Sequence, residues 1–254
     1  MPIPAFTDLL KLIEDRSAAL RTAAGLAGPD ARVPGCPDWS VRDLVAHLGE
    51  VQRFWAAVVA AGPAASPPAE DQIHDLEPDN DLIGWSADWT GELVRALAEA
   101  GPGRPCWTWW PESGAPADSG AVARHQVQEA AVHAFDAQEA AGRAEPLPAD
   151  VAADGLGEFL TVGMATMGGW PHEAGRVALT ADGGPAWLVD LGPSGARAQE
   201  DEVPGTGQAV PGARVRGSAS DLVLALYGRQ PRGSLDIEGD QELATRLLSW
   251  TDNE

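Results

Sequence analysis

The feature that most constrains this chain is a change of hydrophobic period near Pro146. Before it, apolar residues recur every three to four positions over four long stretches; after it, short alternating or β-branched runs take over. The first pattern predicts amphipathic helices and the second half-buried strands, so one chain must build two architectures.

The first stretch, Phe6 to Ala27, puts Leu9, Leu10, Ile13, Ala18 and Leu20 on one helical face. The second begins after Ser40, where Ser40 and Asp43 have capping-box spacing, with Asp in place of the longer Glu. Its core face reads Leu44, His47, Leu48, Val51, Phe54, Trp55 and Val58. Residues 62–68, rich in Pro, Ala and Gly, predict a loop. A third helix over 79–100 is expected to bury Leu82, Trp85, Trp89, Leu93 and Leu97, and a fourth follows over 120–142. Four helices of this length predict a bundle.

Beyond Pro146 the pattern predicts a helix over 149–167, strands over 176–180, 186–191 and 213–217, and a capped helix from Ser218 that stops at Gly228. A strand over 234–237 and a helix over 241–250 complete a small α+β unit. The expected division is residues 1–145 and residues 146–254.

Composition narrows the function. The chain has 254 residues, 44% of them hydrophobic, which is enough for a full core in one large or two modest domains. The formal charge of -21 repels phosphate backbones, and no local basic patch offsets it, so nucleic acid is not an expected partner. No apolar run is long enough for a membrane span, and the N-terminal residues carry acids where a signal peptide needs a basic start. A cytoplasmic location is expected. Cys36 and Cys106 are far apart and outside any C-x-x-C, which implies neither a disulfide framework nor a thiolate zinc cluster; Cys36 reads as a packed thiol.

Two segments carry chemistry. His47 falls among apolar neighbours on the second helix, where an imidazole needs a partner: a hydrogen bond within the core or a metal. On the fourth helix Val122, Gln126, Glu129, His133 and Asp136 form one stripe with His125 at its edge. Such a stripe reads either as a solvated face, with Val127, Ala131 and Phe135 buried behind it, or as a ligand-bearing face turned inward. If it turns inward, Glu129 and His133 meet His47, and two imidazoles with one carboxylate make the donor set of a catalytic zinc site. Signatures of nucleotide binding, of an H-E-x-x-H metalloprotease and of a G-x-S-x-G nucleophile are absent.

The segments GCPDWSVRDLVAHLGEVQRFW, EAAVHAFDAQEAAG and VRGSASDLVLALYGRQPRGSLDIEGDQELATRLLSW, in that order, resemble the mycothiol-dependent maleylpyruvate isomerase family within the wider DinB-like metalloenzymes. The resemblance covers nearly the whole chain. It implies an α+β protein, a DinB-like four-helix bundle followed by a small sterol-carrier-like α+β domain. It further implies a divalent metal, zinc above all, on His47, Glu129 and His133. His125 would substitute if His47 is not inward, and Asp136 would orient a ligand imidazole or lie in solvent as an ordinary helix carboxylate. Mycothiol is implied as thiol cosubstrate, and a small electrophile as substrate, for cis-trans isomerisation or S-transfer. Arg229 is implied as the cation for a substrate carboxylate, against its simpler reading as a helix C-terminal charge, with Tyr227 beside it. Trp107, Trp109 and Trp110 are expected to line the bundle mouth or to form a hydrophobic seam. The alternative is a non-catalytic protein that keeps a metal for stability and binds a small ligand.

Overall fold

The computed structural model describes residues 3–69, 73, 81–201, 210–229 and 235–251. Two compact units emerge, one comprising Pro4–Pro111 and Pro116–Glu145, the other chiefly the chain from Pro146 onward. The fold is α+β, a helical unit followed by a sheet unit.

The helical unit is built from α1 (Phe6–Ala27), α2 (Val41–Ala61), α3 (Leu82–Ala100) and α4 (Ser119–Ala140). A short hairpin, β1 (Arg32–Val33) and β2 (Cys36–Ser40), joins α1 to α2. Leu20 and Ala24 of α1, Leu44 and Leu48 of α2, and Ala130 and Ala134 of α4 meet in one buried cluster that also takes in Val33 and Cys36. The small residues of α4 let the helices approach closely there. The capping box forms: the Ser40 hydroxyl accepts from the Asp43 amide and the Asp43 carboxylate accepts from the Ser40 amide at 2.8 Å. The Ser40 hydroxyl also donates to the Asp43 carboxylate at 2.6 Å, and this bond first, then that from the Ser40 amide, holds the Asp43 carboxyl below its ordinary pKa. These bonds fix where α2 begins, and so the phase at which His47 emerges.

Polar residues lock the helices in register. Gln52 of α2 donates to Ser17 of α1 at 2.8 Å and accepts from Thr90 of α3 at 2.7 Å; all three are buried. A second lock is steric. Trp85 of α3 lies on the α2 backbone at Gly49, where any Cβ would overlap its ring. Gly49→Ala is therefore expected to cost about 1–3 kcal/mol in thermal or chemical denaturation, the usual penalty of overpacking.

Several expectations are corrected in detail. Trp85 and Trp89 are only partly buried, since they lie over α2, where Arg53 stacks on Trp89 at 5.0 Å. His47, Val51 and Phe54 are partly exposed because they occupy one flank of the core face rather than its centre. The start expected for α3 at Asp79 lies outside the described residues.

The sheet unit opens with α5 (Ala149–Glu158), which gives way to a π-helical turn, Phe159–Gly163, and a 3-10 turn, Met164–Thr166. One helix to residue 167 was expected; instead the Thr161 hydroxyl donates to the Gly157 carbonyl, a back-bond that competes with the regular ladder. Strands β3 (Gly175–Ala181), β4 (Ala186–Gly192), β5 (Gly195–Asp201), β6 (Ala213–Gly217) and β7 (Asp236–Gly239) form one sheet in the order β5-β4-β3-β6-β7. Only the β3–β6 pair is parallel. Helices α6 (Ala219–Leu226) and α7 (Gln241–Trp250) follow β6 and β7. β5 is polar and lies at the sheet edge, where no apolar alternation is required. The strand expected over 234–237 is found two residues later, its first expected residue lying outside the described ones. Among the described residues no helix is long and apolar enough to cross a membrane.

Candidate metal centre

Helix α4 is buried almost all round. Gln126, His133 and Asp136 are buried, as are Val127, Ala131 and Phe135 on the opposite faces, so the stripe is not a solvated face. His133 points from it toward α2, where His47 projects from the facing flank. Glu129 lies between the two imidazoles: its Oε1 is 3.0 Å from His47 Nε2 and 3.3 Å from His133 Nε2. One donor atom from each of His47, Glu129 and His133 falls within 4.8 Å of the others. The centre is open at His47 and Glu129, whose side chains are 34% and 21% exposed, and closed at His133, whose side chain is 9% exposed.

The far side of His133 is anchored. Its Nδ1 lies 2.9 Å from Asp136 Oδ2, and the Asp136 side chain is wholly buried. With Nδ1–H donating there, Nε2 is the atom left facing Glu129. The Cys36 thiol also donates to Asp136 Oδ2, at 3.8 Å, so the carboxylate is held from β2 as well as from its own helix. Cys36, His133 and Asp136 are themselves close enough to count as a donor group, yet these hydrogen bonds account for their proximity. Trp39, also on β2, covers the centre: its ring lies 4.7 Å from that of His47 and 6.0 Å from that of His133. Trp39 and Cys36 had no functional signal in the sequence beyond their place just ahead of the Ser40 cap.

The electrostatics follow from this crowding. Burial works against the charged imidazole of His133, but the Glu129 charge and the bonds to Asp136 and Glu129 prevail and raise its pKa to about 9. Burial likewise pushes the Glu129 carboxyl up, and the neighbouring His133 and His47 outweigh it, holding it well below the usual carboxylate range. With Nδ1–H of His133 given to Asp136, the Nε2 lone pair would face the Glu129 oxygen, so positive charge is needed between them. Protons or a divalent cation can supply it, and two neutral imidazoles with the Glu129 and Asp136 carboxylates would balance a doubly charged ion. The donor set therefore fits a metal such as zinc.

The remaining candidates lie elsewhere. His125 is one turn from Glu129 and sits among the rings of Trp55, Trp109 and Trp110, at centroid distances of 6.1, 5.4 and 5.4 Å. Trp107 stacks on Trp55 and meets Phe54 edge to face. In the sheet unit Arg229 follows Gly228, whose φ of 73° ends the helical course; its guanidinium donates to the Tyr227 carbonyl at 2.6 Å, and the residue is buried. The Tyr227 ring packs edge to face on Phe159.

A histidine-glutamate-histidine cluster inside a helical bundle, followed by a mixed sheet unit, defines a two-unit α+β protein with a metal-compatible centre. The sequence matches the mycothiol maleylpyruvate isomerase N-terminal domain over residues 10–138 and the corresponding C-terminal domain over residues 150–246. The chain belongs to the mycothiol-dependent maleylpyruvate isomerase family, a family of thiol-dependent enzymes. Its fold is similar to the crystal structures of the mycothiol-dependent maleylpyruvate isomerase and of a histidine-to-alanine mutant of that protein. The TM-scores are 0.62 and 0.63, each at 14% identity and covering 92% of this chain and 93% of the other. Comparison with curated protein sequences gives no match.

Proposed function

We propose that this chain is a zinc-dependent enzyme that uses a low-molecular-weight thiol, mycothiol, to isomerise or to thiolate a small electrophile. The observation that carries the reading is the convergence of His47 Nε2, His133 Nε2 and Glu129 Oε1 with Asp136 behind His133. These three residues would hold the ion, and three protein donors leave room for a further ligand, which separates a catalytic site from a closed structural one. When bound there, the ion lowers the pKa of a thiol it coordinates, so that thiolate chemistry runs at neutral pH.

The protein's own part is positional. Asp136 fixes the His133 tautomer, Trp39 shields both imidazoles, and the exposed flank of His47 and Glu129 leaves a path for the reactants. The thiolate sulfur adds to one carbon of an activated double bond, and the displaced electron pair moves onto the conjugated carbonyl. The former double bond rotates as a single bond; its return expels the thiolate and leaves the trans isomer. If the adduct takes up a proton and leaves, the product is a thioether. Arg229 is proposed to hold a substrate carboxylate by its guanidinium.

The test is metal content by elemental mass spectrometry on untagged protein, then calorimetric titration with mycothiol. About one zinc per chain, with thiol binding that releases protons, supports the reading; no metal after reconstitution with zinc sinks it. Asp136→Asn is expected to weaken zinc binding by about 10–100-fold, the usual cost of losing a hydrogen-bonded support of a ligand imidazole. Chelator competition measures this directly.

A further inference from the structure

Among the described residues, the flanks on either side of the metal centre are built from apolar, aromatic, histidine and glutamate side chains. The flank of α2 that carries His47 continues as Val51 and Phe54, and the facing flank of α4 carries Glu129 and His125; none of these is Lys or Arg. At one end Trp39, partly exposed, leans on His47 and His133. Toward the other end, beyond one to two helical turns, Phe54 and Trp107 stand edge to face at 5.9 Å, interplanar angle 87°, and both keep part of their surface in solvent. Behind them Trp55 is buried and stacks with Trp107 at 6.2 Å, so these rings are held before any ligand arrives. The span from His47 to Phe54 along α2 is about 10 Å, the length of a phenyl ring joined to a short conjugated chain.

Charge points the same way. With Glu129 and Asp136 balancing the ion the zinc-loaded centre would be neutral, so the net charge of -21 on the chain as a whole is what disfavours a small dianion. Fixed aromatic surface instead favours a planar ring that stacks or meets edge to face. We infer that the electrophile bears an aromatic ring, seated against Phe54 and Trp107, with its reactive double bond directed toward His47 and Glu129, and carries at most one carboxylate. This assigns a substrate class and rests on the metal and thiol reading above.

The experiment is equilibrium dialysis of the zinc-reconstituted full chain against two probes, 4-phenylbut-3-en-2-one as aryl enone and maleate as dianion, with zinc measured in the same samples. The aryl enone is expected to bind at least tenfold more tightly. Trp107→Leu and Phe54→Leu should each weaken it about fivefold at unchanged zinc content, and Trp107→Phe should retain it. Tighter binding of maleate, or aryl binding indifferent to both leucine variants, overturns the inference. Full zinc without aryl preference sinks the substrate class and leaves the metal reading standing. Aryl preference in a chain that takes up no zinc supports the aromatic subsite and sinks the metal reading.

Discussion

His133→Ala is expected to abolish zinc binding and thiol-dependent activity together. His133 is the most buried of the three donors, and its ring is anchored by Asp136 while its other nitrogen faces Glu129. Removal leaves one carboxylate, Glu129, and one imidazole, His47, and two such donors hold a zinc ion far more weakly than three. The same change removes the bond that the wholly buried Asp136 carboxylate accepts from the His133 ring. Loss of a buried hydrogen bond to a charged group costs about 1.5–3 kcal/mol, so a lower melting temperature should accompany the lost metal. His47→Ala separates the two effects. His47 is a third exposed, so its loss should remove the metal with little change in folding. Elemental analysis and circular dichroism on both variants make the check. Full zinc occupancy in a folded His133→Ala protein would dismiss the proposed triad.

The contrast between these histidines shows where sequence reading succeeds. Helix α2 carries its own start signal in Ser40 and Asp43 and a clean apolar face, so its position and the inward tendency of His47 were legible. Its partial exposure was not, because a single helix cannot reveal which flank of its apolar face lies beside an opening. Helix α4 was harder. Gln126, Gln128, His133 and Asp136 are polar yet buried, so its periodicity is weak and the stripe, taken by itself, reads first as a solvated face. The ambiguity has a physical cause: a helix enclosed on all sides needs no amphipathic pattern, and its polar groups are paid for by tertiary partners that lie far away in the chain. Cys36 and Asp136, 100 residues apart, form such a pair.

The sheet unit repeats the lesson in another form. β3, β4 and β6 supply buried alternating residues such as Val177, Leu179, Val189 and Val215, and these runs were readable as strands. β5 exists because β4 offers it an edge to pair with, across the turn at Pro193 and Ser194 between Gly192 and Gly195. Its sequence, GARAQED, carries almost no burial signal of its own. The hairpin β1–β2 was missed for the same reason, and with it the placement of Trp39 over the metal centre.

Zinc affinity is expected to rise steeply with pH, because a proton occupies His133 in the metal-free centre. Its pKa in the folded chain is raised to about 9, above an ordinary imidazole. At neutral pH the ion must therefore displace that proton, and apparent affinity should gain about tenfold per pH unit, or about 100-fold between roughly pH 6.5 and 8.5. The metal-free protein should respond in the opposite sense. A raised folded pKa contributes stability that is fully present below the unfolded value and is lost as pH climbs through the folded one. The metal-free chain should thus lose stability between about pH 6.5 and pH 9, while the zinc-loaded chain, whose His133 carries no proton at Nε2, should not. Chelator-buffered zinc titrations across this range, with proton release read from calorimetry in buffers of different ionisation enthalpy, test the first half. Denaturation midpoints of the metal-free and zinc-loaded chains test the second. An affinity that does not change with pH would mean that no proton sits between His133 and Glu129, and the charge balance proposed for the centre would fail with it.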